Sequence, residues 1–203
     1  MRRLVAFLLL LGFLVPLTAE RIARYDVILQ INADGTLKID ETITYDFEGA
    51  RRHGIFRDIP STVRLSSRSR PIDIRLGDFH VSMDGKSVRW IEQSVHSSAA
   101  GDMVRLRIGD PSRTITGVHR YRISYRVRKG VLPASIGNAM DAVRWNVIGT
   151  GWDVQIRRAH IEVILPPPLT RSNVTLRSYI GRYGSTRSPD TPPRWLDPHR
   201  FVL

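Results

Sequence analysis

Apolar side chains recur at every second position along most of this chain. In residues 25–31 the odd positions Tyr25, Val27, Leu29 and Ile31 form one apolar set, and Leu37, Ile39, Ile43, Tyr45 and Phe47 repeat the rhythm over 37–47. Successive strand side chains point to opposite faces, so this period predicts strands with one dry and one wet face. Between the two runs, Asn32-Ala33-Asp34-Gly35 predicts a hairpin turn in which Gly35 takes a positive φ. Met83-Asp84-Gly85-Lys86 predicts a second hairpin between residues 71–81 and 87–91. Further strands are expected over 103–108, 121–127, 143–148, 154–165 (as one long strand or two) and, most weakly, 174–180. The 143–148 run is more continuously apolar than the others, as for a central strand. Helical periodicity is nearly absent after residue 19. Many short strands of unequal length between turn signals predict an all-β fold, an antiparallel β-sandwich of two sheets.

The N-terminus adds a compartment. Met1-Arg2-Arg3 is basic, residues 4–14 are apolar, and Val15-Pro16-Leu17-Thr18-Ala19 breaks the run and ends on a small residue. This is the layout of a helical signal peptide over 1–19, and the apolar part is short of the roughly 20 residues a span needs. Cleavage after Ala19 is expected, with an uncleaved anchor as the alternative. Either places the remainder outside the cytoplasm, in the periplasm or on the outer face of the cytoplasmic membrane. Residues 20–181 are long enough for one domain with its own core. Residues 64–70 read as a polar loop, and 182–203, rich in Pro, Arg and Ser without period, as a disordered tail.

Charge and composition narrow the partners. The chain has no cysteine, so disulfides and a lipoprotein anchor are excluded, and its net charge is +12 with 31 Lys and Arg against 19 Asp and Glu. An arginine-rich surface outside the cytoplasm meets anionic lipid or envelope polymer. The competing reading is a solvated sheet face, since no dense basic run occurs. Export removes nucleic acid as a partner.

Three places break the pattern. Glu41 falls on the apolar parity of the cleanest strand, where a carboxylate needs a cation or water. Either a bulge turns it outward or it forms a buried ion pair, for which Arg57 is the candidate. His53-Gly54-Ile55-Phe56-Arg57-Asp58-Ile59-Pro60 reads as an ordered loop with Ile55, Phe56 and Ile59 as anchors. It either packs over the core edge or presents His53, Arg57 and Asp58 for recognition. Trp145-Asn146-Val147-Ile148-Gly149-Thr150-Gly151-Trp152 places two indoles around a Gly-Thr-Gly turn. Trp145, Asn146 and Trp152 are there either for the core or for sugar or lipid contact. The turn lacks the further glycine of a dinucleotide loop. No Gly-x-Ser-x-Gly, no thiol and no His-x-x-x-His spacing appears, so no catalytic residue, metal or cofactor is expected.

Together these stretches resemble the N-terminal domain of the DUF2207 family, predicted bacterial membrane proteins. The matching pieces are Tyr25-Asp26-Val27, Asp34-Gly35 and Glu41, then residues 53–60, Arg107-Ile108-Gly109-Asp110, Thr116 to Tyr121 with Ser124-Tyr125, Trp145 to Gly149 with Trp152, and Ile164-Leu165-Pro166. The resemblance covers about residues 22–180. It implies a signal peptide, an extracytoplasmic β-domain, transmembrane helices after it and often a Gly-rich cytoplasmic tail. No apolar run long enough to span follows Leu14, so a stand-alone, truncated or split version is expected. The functional expectation is a non-enzymatic module that binds or assembles with a membrane protein or another envelope component. The alternatives are a binder of anionic polymer or lipid through an arginine-rich face, and a hydrolase with a carboxylate pair.

Overall fold

The computed structural model describes residues 19–64, 70–98, 101–136, 140–181 and 184–203. The signal-peptide helix expected over 1–19 lies outside them but for Ala19. Ten strands carry the architecture: β1 (Arg21–Ile31), β2 (Leu37–Asp46), β3 (Gly54–Pro60), β4 (Leu76–Met83), β5 (Trp90–Ser97), β6 (Gly101–Gly109), β7 (Val118–Val127), β8 (Ala159–Ile164), β9 (Arg194–Asp197) and β10 (Arg200–Val202). The larger sheet runs β9-β10-β8-β1-β2-β7-β4, and the smaller β3-β6-β5. The fold is an all-β sandwich in which the two sheets share one core.

The alternation read from the sequence decides which side chains enter that core. Tyr25, Val27 and Leu29 of β1, Leu37, Ile39 and Ile43 of β2, and Tyr121, Ile123, Tyr125 and Val127 of β7 are buried, facing Ile55, Ile59, Leu106 and Ile108 of the smaller sheet. A bulge between Ile22 and Arg24 flips the parity of β1, so that Ile22 and Tyr25 both point inward. Both predicted hairpins form. Asn32 to Gly35 joins β1 to β2, with Gly35 at φ 79. Asp84 and Gly85 turn the chain from β4 into Lys86–Ser87 with φ 52 and 76, the pair of positive values that matches strand twist in a two-residue turn.

Several expectations are corrected. Residues 71–81 do not form one strand: the chain pairs at Ile72–Asp73 and again from Leu76, with Ile74 buried between them. Residues 87–91 divide at Val88–Arg89, where the chain passes from the larger sheet to the smaller one. Of residues 53–60, all but His53 form not a loop but β3 itself, paired along its length with β6. Residues 143–148 are not a central strand. Only Ala142–Val143 pairs, with Val131–Leu132, and Trp145, Val147 and Ile148 pack on the core from an irregular segment. Residues 174–180 form no strand. Of 154–165, Gln155–Ile156 and Ala159–Ile164 pair separately with β1, both parallel to it, whereas the other strand pairs among the described residues are antiparallel. A parallel pair needs a long connection, here the whole chain from β1 to residue 155.

The expected tail is also corrected. Residues 194–202 form the β9–β10 hairpin, and β10 adds to β8. Phe201 and Val202 are buried, and the rings of Trp195 and Phe201 pack at a tilt with centroids 5.0 Å apart. Two aromatic side chains on paired strands bury enough surface to hold a short hairpin that the flanking Pro and Arg conceal.

Candidate functional site

Glu41 does point into the core, and the opposing sheet supplies its cation. β2 and β3 lie in different sheets with their inner faces opposed. On β3 the parity places Ile55, Arg57 and Ile59 inward and Phe56 outward. Arg57 reaches Glu41 through two parallel bonds, Nε to Oε2 at 2.8 Å and Nη2 to Oε1 at 2.7 Å. Tyr25 donates to Oε2 at 2.6 Å and Tyr125 to Oε1 at 2.8 Å. Each carboxylate oxygen therefore accepts two hydrogen bonds from donors fixed on strands. Both ionic side chains are at most 1 % exposed. Burial works against the charge on Arg57, yet Glu41, Tyr25 and Tyr125 outweigh it and hold the guanidinium well above its ordinary pKa. Burial, with Glu41 adding to it, likewise pushes both phenols well up despite the nearby Arg57.

The same guanidinium holds the 147–152 segment. Arg57 Nη1 donates to the carbonyl of Asp58 at 2.6 Å, and Nη2 to that of Val147 at 3.2 Å. A methyl group added at Gly149 would stand 2.5 Å from Nη1, and one at Gly151 3.2 Å from the Asp58 carboxylate. The Gly-Thr-Gly sequence thus lets the backbone close on Arg57 and Asp58, next to the free edge of β3. Covering an edge strand removes a template for unwanted pairing. Trp152 seals one side, its Nε1 donating to Ile148 O at 2.8 Å and its ring meeting Tyr25 edge-on at 6.0 Å. Trp145 packs near Tyr125 with ring centroids 6.4 Å apart. Its Nε1, like Tyr121 Oη, is shielded and has no hydrogen-bond partner among the described residues.

The residues singled out in the sequence divide accordingly. Glu41, Arg57, Asp58, Trp145 and Trp152 come together around this junction, and Asn146 lies half-buried in the same segment. Arg105 holds Asp58 through two bonds of 2.7 Å. His53 does not join them. It precedes β3 at its far end, is exposed, and its Nδ1 meets the carbonyls of Asp110 and Arg113 at 3.2 and 3.0 Å. Tyr25 and Tyr125 were legible only as apolar residues, because a buried phenol follows the same period as Leu. Gly149 and Gly151 fit by close approach, which no local pattern announces.

Among the described residues no group of three or more His, Cys, Asp and Glu is placed to hold a metal ion. No helix of the described residues is long and apolar enough to cross a membrane.

This is a β-sandwich domain of the kind that stands at the N-terminus of certain predicted membrane proteins. The chain belongs to the DUF2207 family: the model for "Predicted membrane protein (DUF2207) N-terminal domain" matches residues 21–194. No curated protein sequence matches it. Among solved structures it is similar to an M1 zinc metallopeptidase from Deinococcus radiodurans, at 14% identity and a TM-score of 0.46, over 91% of this chain and 38% of that one. It is also similar to leukotriene A4 hydrolase from Saccharomyces cerevisiae, at 10% identity and a TM-score of 0.43, over 73% of this chain and 24% of that one. The chain thus spans less than two fifths of the length of either protein.

Proposed function

We propose that this chain is a non-enzymatic, extracytoplasmic interaction domain of a membrane-associated protein. The observation that carries the reading is the inward direction of its most heavily bonded polar groups. Glu41 and Arg57 are sealed from solvent, and beyond their mutual pair their bonds go to Tyr25, Tyr125 and the carbonyls of Asp58 and Val147. A carboxylate that accepts four hydrogen bonds from fixed donors has no lone pair left to activate water. Its role is to lock one sheet to the other and to give the covering turn a fixed shape, as a recognition surface requires. The leader pattern and the family's description agree with a domain outside the cytoplasm.

Fractionation of cells that express the full chain tests this. The expected product sits in the periplasmic or membrane fraction, begins after Ala19, and crosslinks to an envelope component. A cytosolic product that still carries Met1 would refute the compartment. Turnover of any substrate that disappears in a single-carboxylate variant of unchanged stability would refute the non-enzymatic role.

A second reading, binding of anionic envelope material, rests on a separate observation. Arg89, Arg107, Arg120 and Arg122 are exposed, and none makes an ion pair among the described residues. Charge-driven binding would weaken steeply between low and physiological salt, whereas apolar docking would not.

A further inference from the structure

The outer face of the smaller sheet carries large apolar side chains beside arginines. On β3, β6 and β5 the residues Phe56, Arg107 and Ile91 stand directly across from one another. All three face away from the core. Phe56 is 54% exposed and Ile91 43%. A single exposed apolar residue needs no explanation. Here a large ring and a branched side chain flank one cation on a rigid surface. Arg105 adds a second cation over the Phe56 ring, 5.1 Å from its centre, and neutralises Asp58, the carboxylate of this face. Arg89, Ile91 and Arg107 line a shallow cleft together with Trp90, Gly109 and Pro111. Asp110 lies near enough to Arg89 to feel its charge, and its carboxylate is engaged by Ser112.

We propose that this face docks on an anionic bilayer surface, with a lipid phosphate between Arg89 and Arg107 and the side chains of Phe56 and Ile91 in the headgroup layer. Guanidinium forks match phosphate oxygens, and exposed aromatic and aliphatic groups gain by leaving water at the interface. The charge selects this occupant. A second copy of the chain would bring like-charged arginines together across a two-fold axis, and a soluble polyanion would leave Phe56 and Ile91 in water. The proposal rests on reading the domain as membrane-proximal.

The chain has no cysteine, so a single introduced thiol can report contact. Gln93→Cys lies on this face, across from Arg105. Lys38→Cys lies on the outer face of the larger sheet, where Lys38 is exposed. Each variant of the full chain, carrying an environment-sensitive fluorophore, is titrated with phosphatidylglycerol vesicles and with phosphatidylcholine vesicles. The leader can anchor every variant, but only the docking face should feel the bilayer. The expected result is a blue shift at position 93 on anionic vesicles, none at position 38, and little on neutral ones. Arg107→Gln should then require about fivefold more anionic lipid, and Phe56→Ser should diminish the shift, both at unchanged melting temperature. Equal responses at the two positions, equal responses to the two lipids, or indifference to both substitutions would overturn the proposal. A shift produced by polyphosphate and not by vesicles would assign the face to polymer and overturn it as well. A cytosolic product in the fractionation would leave the vesicle result standing, so the two readings fail separately.

Discussion

At the scale of single residues, the fold turns on one charge that breaks the rhythm of β2. Glu41 was legible because a carboxylate on an apolar parity is conspicuous, and Arg57 because a cation four residues into a defined segment can reach it. The geometry adds what the pattern lacked: two phenols complete the carboxylate's shell. Glu41→Gln keeps the shape but leaves Arg57 buried without a counter-charge. Breaking one half of a buried pair costs about 3–5 kcal/mol, so the melting temperature should fall by roughly 10 °C in a domain of this size. Replacing both partners, as Glu41→Leu with Arg57→Met, should not restore stability, because Tyr25 and Tyr125 then lack an acceptor. Adding Tyr25→Phe and Tyr125→Phe should restore much of it. Thermal melts of the single, double and quadruple variants check the order. Gly149 offers a second test. It sits at φ 77 with a Cβ position 2.5 Å from Arg57 Nη1. Gly149→Ala should destabilise the domain by more than the roughly 1 kcal/mol of a positive-φ penalty alone, whereas Gly85→Ala, with open space around it, should cost only that penalty. Urea midpoints of the two variants compare them.

At the scale of elements, the long strands of the larger sheet were legible and the short pieces were not. β1, β2 and β7 are ten or eleven residues long, so their period repeats often enough to stand out. β3 was read as a loop because its inward set contains an arginine and its outward set a phenylalanine, which inverts the expected pattern. β9 and β10 have four and three residues, too few for any period, and the strand they complete lies more than thirty positions earlier in the sequence. Their weight in the fold can be measured. Phe201 is 5% exposed, and removing a buried ring costs about 3–5 kcal/mol. Phe201→Ala should therefore loosen β10 from β8. Hydrogen exchange should accelerate first at the amides of Ile161 and Leu203, which bond to each other's carbonyls at 3.1 and 2.9 Å, while β2 and β7 stay protected. A disordered tail would leave every rate unchanged.

At the scale of the whole molecule, the turns make stability depend on acid. Four aspartates at chain reversals have carboxyls held below their ordinary pKa of 3.8. Thr36 does this for Asp34 through its hydroxyl and amide, Ser112 likewise for Asp110, and Arg200 with the His199 amide for Asp197. At Asp84 partial burial acts the other way, but the Arg120 amide and His119 prevail. A carboxyl with a lowered folded pKa binds its proton more readily when unfolded. Its contribution is thus complete above the unfolded value and is lost as the pH falls through the folded one. All four shifts have the same sign, so they add across distant turns. The urea midpoint should hold steady from pH 7 to about pH 5 and fall between about pH 4 and pH 2. Converting all four residues to Asn removes these titrations while keeping an oxygen acceptor at each turn. That variant should be less stable than the native chain at pH 7 and should approach it at pH 2, since the native turns are then protonated too. Parallel pH profiles for the two proteins would place the acid response outside these four turns.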